Sequence, residues 1–536
     1  MSTSFPREAA GLSPDSATHG QTPPPVSALR TFGRLMRAEW TKLRTVRGWM
    51  AALLGGVAAM IALGLMTGAQ GSCTPQRCAQ PTGPDGQEVT DAFSFAHQPL
   101  TGDGSITVRV AEMDGLIPAD PGTEAEDAGQ GPQRADGPPS GMPGLAPWAK
   151  TGLMIKDGTR PGAAYAAIMT TGSHGVRMQH NFTHDRAGTS GNAPRWLRLT
   201  RTGELIVGEE SADGHAWTKV GEVRLNGLPA TVQAGMFATS PQYSRVDDGL
   251  IGTAASGGPS QVTGAFDHLE LEGDWPAAAW TGTKIGGPID RDVSGFGLTG
   301  PVFRVTGSGD VAPATAGLAG IGVTITQTLV GTFVALIAVV VLGAVVMTAE
   351  FRRGLVRTTL AAAPRRGRVL AAKAVVLGGV TFLVGLVAAV LVVEIGGRVM
   401  VSRGVYVHPV TTGIRTQVVV GTAALLAFSA VLAMALGTVL RRSLTAVTTG
   451  IVLIVLPYLL SLTALSGEAA DWVLRVTPAA AFALQQSRPA YPQVDNLYTA
   501  ALGYFPLPPW GGFSVLVAWT TAALVVAAVA LRRRDA

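Results

Sequence analysis

The sequence predicts a polytopic α-helical membrane protein of about six transmembrane helices, with an extracytoplasmic all-β sandwich inserted between the first and second. Three observations carry that fold class. Mean hydropathy is +0.30, on the side expected of a chain that lies largely in lipid. Membrane-length apolar runs stand at about 49–67, 319–348, 374–395, 417–440, 445–465 and 512–531, with Arg and Lys gathered at particular ends. The interval 68–310 has no such run and alternates polar and apolar residues in short stretches.

Each element follows in order. Residues 1–29 form a polar tail with Pro23-Pro24-Pro25 and read as disordered and cytoplasmic. In residues 30–48, Leu35, Trp40 and Leu43 alternate with Arg34, Arg37, Lys42, Arg44 and Arg47. That pattern suits an amphipathic helix in the inner headgroup layer, with Trp40, Lys42 and Arg44 as interfacial anchors. The first span then closes the segment 30–67. Basic residues precede it, so its N-terminus stays inside.

Residues 68–91 read as a linker rich in Gly, Pro and Gln. It holds the two cysteines of the chain, Cys73 and Cys78. On an oxidising side a small-loop disulfide between them is open, and two free thiols remain the alternative. Residues 92–272 read as the sandwich. Short alternating runs such as Gly152–Lys156, Val176–Gln179, Trp196–Arg201 and Thr231–Ala238 are punctuated by turns at Asp157-Gly158 and Asp213-Gly214. Residues 273–318 read as a second linker. Residues 319–536 form the remaining transmembrane domain. Within the loop 466–511, Pro478–Gln486 is too short to span and reads as a re-entrant, interfacial or surface helix.

The loop after the second span is the most charged stretch. Between Glu350 and Lys373 it carries Arg352, Arg353, Arg357, Arg365, Arg366 and Arg368 against one acid, Glu350. The positive-inside rule holds it in the cytoplasm. Arg441-Arg442 and Arg532-Arg533-Arg534 fall on the same side, so both termini are cytoplasmic and residues 68–318 extracytoplasmic in a multi-pass cell-membrane protein. The excess of basic residues thus sets topology rather than marking nucleic-acid binding, which the pattern excludes.

Catalytic and metal motifs are absent. There is no G-x-x-x-x-G-K-[ST] phosphate loop, no H-E-x-x-H and no G-x-S-x-G, so no catalytic residue and no metal ligand set is assigned. Glu204, Glu209, Glu210 and Asp213 could pair only as sandwich-surface acids. Ionisable residues inside the spans are nearly absent, with Glu394 near the outer end of the third. Energy for any transport must therefore come from elsewhere.

Two resemblances add to this reading. The K-x-GLMI run at Lys150, then GVRMQ, WLRLTR, the DG-x-x-W-T-x-V-G hairpin and AGMFATS resemble a concanavalin A-like jelly roll over roughly 92–272. That superfamily often binds carbohydrate, so glycan is the open partner of the outer domain. The stretches AEWTKLRTVRG, AEFRRGLVRTTLAAAPRRGRVLAAKAVV and LRVTPAAAFALQQ…GYFPLPPWGGFSVLVAW resemble the permease subunit of a type-2 ABC exporter, of a sort common in actinobacteria.

The exporter resemblance implies a coupling helix at 350–366. Glu350, Phe351, Arg352, Arg353, Arg357, Thr359, Pro364 and Arg365 would there contact a cytoplasmic ABC ATPase. It also implies a homodimer or heterodimer of permeases in membrane lipid, with no cofactor on this chain; ATP and Mg would sit on the ATPase. The large insertion after the first span departs from the family pattern. The competing reading is a membrane-anchored receptor for glycan or cell-wall polymer.

Overall fold

The computed structural model describes residues 28–66, 78–118, 141–191, 195–248, 253–277, 279–286, 295–299, 301–317, 321–362, 365–465 and 467–533. Two helices come first. Helix α1 (Ala28–Thr45) is amphipathic and turns at Val46 into α2 (Arg47–Met66), which is apolar all round. The tail expected to be disordered through residue 29 ends sooner, because α1 already includes Ala28.

A β region follows. It opens with β1 (Val89–Asp91) and β2 (Phe93–Pro118), then β3 (Gly141–Pro143), β4 (Lys150–Lys156), β5 (Tyr165–Thr171), β6 (Val176–His180) and β7 (His184–Ala187). Strands β8 (Arg195–Thr202), β9 (Leu205–Ser211), β10 (Thr218–Arg224) and β11 (Thr231–Thr239) come next. After them stand β12 (Tyr243–Asp248), β13 (Thr253–Gly258), β14 (Gln261–Asp274), β15 (Thr281–Ile285), β16 (Gly295–Thr299), β17 (Val302–Gly307) and β18 (Val311–Pro313).

Strand β2 organises the β region. Its first part pairs with β11 and β15, and its second with β8 and β14. The change of layer falls at Gly102, whose φ of +69 is open to glycine and strained for other residues. One continuous sheet therefore folds over itself as a sandwich close to a barrel, in the order β10-β9-β8-β2-β11-β4-β5-β6-β7. Ile106, Val108, Leu153, Ile168, Leu197, Met236 and Phe266 fill the space between the layers.

The β4–β5 layer is buried on its other face too, where Phe93, Phe95, Met154, Tyr165, Phe182 and Phe237 form a second core. The β1–β18 ribbon contributes Val89 and Val311 to that core.

The β region is wider than the expected 92–272. Residues 273–318, read as a linker, supply β15 on β2 and β17 on β14. Their strands are short and glycine-rich, which hides them from an alternation test. Residues 81–91, read with the first linker, are likewise ordered through the bridge Thr82–Glu88 and the β1–β18 pair.

The helices resume with a 3-10 turn (Ile325–Gly331) and α3 (Thr332–Arg352), then α4 (Leu355–Ala362) and α5 (Arg366–Ser402). After these come α6 (Thr412–Leu440), α7 (Ser443–Thr463), α8 (Gly467–Val476) and α9 (Pro509–Arg533). Among the described residues six helices are long and apolar enough to cross a membrane. Helix α6 is central: 83% of its most apolar window is buried, against 22% for α2 and α9.

Small residues let the central pair approach closely. A Cβ on Gly343 of α3 would stand 2.2 Å from the Ala430 carbonyl oxygen of α6, so backbones meet there without side chains between. The segment Pro478–Gln485 forms a 3-10 helix with all eight residues buried among α6, α7, α8 and α9, which removes the surface-helix alternative. Phe482 stacks on Tyr458 at 3.8 Å. The Gln485 side-chain amide donates to the Thr332 and Thr422 hydroxyls at 3.1 and 3.2 Å, so its polar end is satisfied inside an apolar bundle.

Candidate functional site

Four charged side chains meet where α1, α3 and α5 converge. Lys373 Nζ donates to Glu39 Oε2 and to Glu350 Oε1, both at 2.6 Å. Lys42 Nζ donates to Glu39 Oε1 at 2.9 Å and to Glu350 Oε1 at 3.3 Å. Glu39, Glu350 and Lys373 are buried, and Lys42 closes the cluster from the half-exposed side. Two carboxylates and two ammonium groups balance, so neither carboxylate is left uncompensated away from water. Burial pulls the Lys42 ammonium down, but hydrogen bonds and charge from Glu39 and Glu350 outweigh it and hold the group above the ordinary lysine range.

This geometry corrects the expected role of Glu350. Its carboxylate points into the chain and is consumed by two lysines, so it does not stand on a docking surface. The helix expected over 350–366 is also divided. Helix α3 carries Glu350, Phe351 and Arg352 as its last turn. Gly354 then turns the chain at φ +67, and α4 occupies Leu355–Ala362. The Arg441 guanidinium lies 4.9 Å over the half-buried Phe351 ring, so Phe351 also faces inward.

Exposed at this end are Arg352, Arg353, Leu355 and Arg365. Thr359 Oγ1 donates back to the Leu355 carbonyl at 2.9 Å, and the residue lines a small cleft with Glu350 and Lys373. Helix α4 includes Arg357, whose side chain lies outside the described residues, as does Pro364. Arg366 donates to the Leu531 carbonyl at the end of α9. Beside it an open groove of about 510 Å3 is lined by Arg365, Arg366, Gly367, Arg368 and Arg532.

The expected anchors on α1 divide as an amphipathic helix requires. Trp40 and Arg44 are exposed, Lys42 belongs to the ion cluster, and Leu43 enters the helical core. Cys78 is disulfide-bonded, and Cys73 lies outside the described residues.

A second charged cluster joins the β region to the helices. Glu88, just before β1, accepts from the Tyr406 hydroxyl and from the Arg488 guanidinium. His408 Nδ1 lies 2.7 Å from Glu88 Oε2, and its Nε2 lies 2.7 Å from the Ile321 carbonyl. Burial pushes the Glu88 carboxyl up; hydrogen bonds from His408 and Tyr406, with the charges of His408 and Arg488, outweigh burial and hold it below the usual range. Burial and the neighbouring Glu88 push Tyr406 up to about 12. Arg488 also donates to the Ala314 carbonyl after β18, three residues beyond the buried Pro478–Gln485 helix.

Sequence reasoning assigned no role to Glu39, Lys373 or this second cluster. The available signal was the rarity of the acids: Glu39 and Glu350 each stand alone in a basic segment beside an apolar run, where a carboxylate needs a partner.

The sandwich acids serve local structure. Asp213 accepts the Ala216 and His215 amides, which hold its carboxyl down at about 2. Glu204 accepts the Gly227 amide, Glu209 pairs with Arg198, and Glu210 accepts the Thr189 amide. No two of them share a partner in these bonds. Among the described residues no group of three or more His, Cys, Asp or Glu is arranged to hold a metal.

No family model matches the chain, and no curated protein matches it. Among solved structures it is similar to a functionally unknown protein from Saccharomyces cerevisiae at 15% identity and a TM-score of 0.18. That similarity covers 35% of this chain and 76% of that one.

Proposed function

We propose that this chain is the membrane-spanning permease subunit of an ATP-driven exporter of the type-2 ABC kind. In this reading α2, α3, α5, α6, α7 and α9 cross the cell membrane, both termini are cytoplasmic, and the β region lies outside. ATP and Mg are handled by a separate cytoplasmic ATPase. Two permease copies, alike or different, enclose the path, since about six helices are few for a transporter core.

The observation that carries the reading is the ion cluster behind the arginine-rich loop. Glu39, Lys42, Glu350 and Lys373 tie α1 to the ends of two apolar helices, while Arg352 and Arg353 project from the same end. A push on the exposed arginines is thereby delivered to three helices together rather than absorbed by a loose loop. The surface is basic, so the complementary patch on the ATPase is acidic and polar.

The test is purification from native membranes in mild detergent, followed by mass spectrometry. An ATPase subunit at near-equal amounts is expected. The double reversal Arg352→Glu/Arg353→Glu should reduce its recovery by about 10-fold or more while the permease remains folded. Unchanged recovery would reject the docking surface.

A further inference from the structure

The β1–β18 ribbon connects the sandwich to the helices, and two buried lysines of β4 hold it. Lys150 and Lys156 are on the same face at opposite ends of β4. Lys156 Nζ lies 2.8 Å from Asp91 Oδ2 on β1, and both side chains are fully buried. Lys150 Nζ lies 2.6 Å from Asp310 Oδ1, just before β18. Glu88, just before the ribbon, meets loops of the helical part, so the ribbon is one of the places where the β region and the bundle are joined.

The two pairs are built differently. Asp310 Oδ1 accepts from Lys150 and from the Val311 amide, and its side chain keeps some exposure, as suits an ionised carboxylate. At Lys156 the surroundings are apolar: the rings of Phe182, Tyr165 and Phe93 stand 5.4, 5.5 and 5.9 Å from Nζ. Asp91 Oδ1 has no hydrogen-bond partner, and neither does the buried Tyr165 hydroxyl. The Gly162 amide donates to Asp91 Oδ2 at 2.7 Å, and the Ala163 carbonyl accepts from Nζ at 3.0 Å. Gly162 has φ +81, and a Cβ there would stand 2.5 Å from the Thr82 carbonyl oxygen, so glycine is what brings that amide in.

We propose that Lys156 and Asp91 condense spontaneously into an intramolecular amide that staples the connecting ribbon to the sandwich. Burial pushes the Asp91 carboxyl up and pulls the Lys156 amine down, and in each case it outweighs the pull of the partner charge. Both shifts move the pair toward the neutral acid and free amine. A proton passes from Nζ to the carboxylate, and the free amine attacks Asp91 Cγ. Charge developing on Oδ2 faces the Gly162 amide, as in an oxyanion site. The N–C bond forms as the bond from Cγ to Oδ1 breaks. Oδ1 leaves as water, taking the carboxyl proton and one further proton from Nζ, so the step needs no outside reactant. The remaining N–H stays on the Ala163 carbonyl. Holding amine and acid side by side, with the leaving water shut out of an apolar site, makes the condensation intramolecular, and intramolecular reactions reach effective concentrations on the order of 10⁵ M when the nucleophile lines up on the reacting carbon.

The test is peptide-level mass spectrometry on the intact, folded chain purified in detergent, then reduced and digested. The expected product is a branched peptide joining the Asp91 and Lys156 segments, lighter by one water, about 18 Da, than their sum. Lys150 and Asp310 should be recovered unlinked. Lys156→Arg and Asp91→Ala should each abolish the branch. The wild-type chain answers even if a variant fails to fold: separate Asp91 and Lys156 peptides at full mass, or a branch at Lys150–Asp310 instead, would overturn the proposal.

Discussion

The chain holds its two ends with charge in two different ways. At the arginine-rich end, two lysines and two glutamates from α1, α3 and α5 form a closed, balanced cluster. At the opposite join, one carboxylate, Glu88, gathers three donors from loops flanking α6 and the buried Pro478–Gln485 helix. In the balanced cluster each carboxylate meets both lysines, so losing one lysine leaves two buried carboxylates to share a single cation. At the joint a single carboxylate serves three donors, so all three contacts depend on one residue. The first arrangement suits a rigid junction of three helices. The second suits a joint that one protonation or one substitution releases.

The largest effect should come from the shared cation. Lys373→Met leaves Glu39 and Glu350 buried with only the half-exposed Lys42, and should cost about 3–5 kcal/mol, read as loss of folded protein or a large drop in Tm in detergent. Adding Glu350→Gln should restore part of that loss, because the stranded charge is then removed. If the single variant is as stable as the parent, the cluster is not structural.

Glu88→Ala should come next, costing on the order of 2–3 kcal/mol at the joint while both cores stay intact. Limited proteolysis near residues 81–92 should speed up, with the β region itself remaining resistant. Equal protection in parent and variant would place the joint elsewhere.

Acidification should reproduce a milder version of that variant. Glu88 titrates below its ordinary value in the folded protein, so its contribution is fully present above about pH 4.5 and is lost as pH falls through the lower folded value. The Arg109–Asp267 pair in the sandwich should follow the same sign, with Asp267 held down at about 2 by the Arg109 hydrogen bond. Hydrogen exchange at about pH 3 should therefore loosen the joint before the sandwich; the reverse order would break the comparison.

The smallest effect should be at Arg366, which donates to the Leu531 carbonyl at the end of α9. Arg366→Gln should cost about 0.5–1 kcal/mol, a Tm shift of a few degrees at most, since the cap on the end of α9 is lost.

Much of the helical part was legible before any coordinates. The apolar runs at 49–67, 417–440 and 512–531 correspond to α2, α6 and α9 because hydropathy over membrane length is a one-dimensional property. Sandwich strands such as Lys150–Lys156 and Thr231–Thr239 showed in runs bounded by turn signals. The strands after 273 did not, because pairing with β2 and β14 rather than local pattern makes them strands.

The sequence by itself determined where apolar length, alternation and basic charge fall, because each depends only on neighbours along the chain. It therefore determined the helices long and apolar enough to cross a membrane, the strands with clear alternation and the basic loop. Tertiary structure alone decided which charges meet. Glu39 and Lys373 are 334 positions apart and Glu88 and Arg488 are 400 apart, and nothing local says which partner each acid takes. Burial then assigned their roles. It turned Glu350 inward among lysines, left Arg352 and Arg353 outside, and set Lys156 against Asp91 where neither charge is solvated.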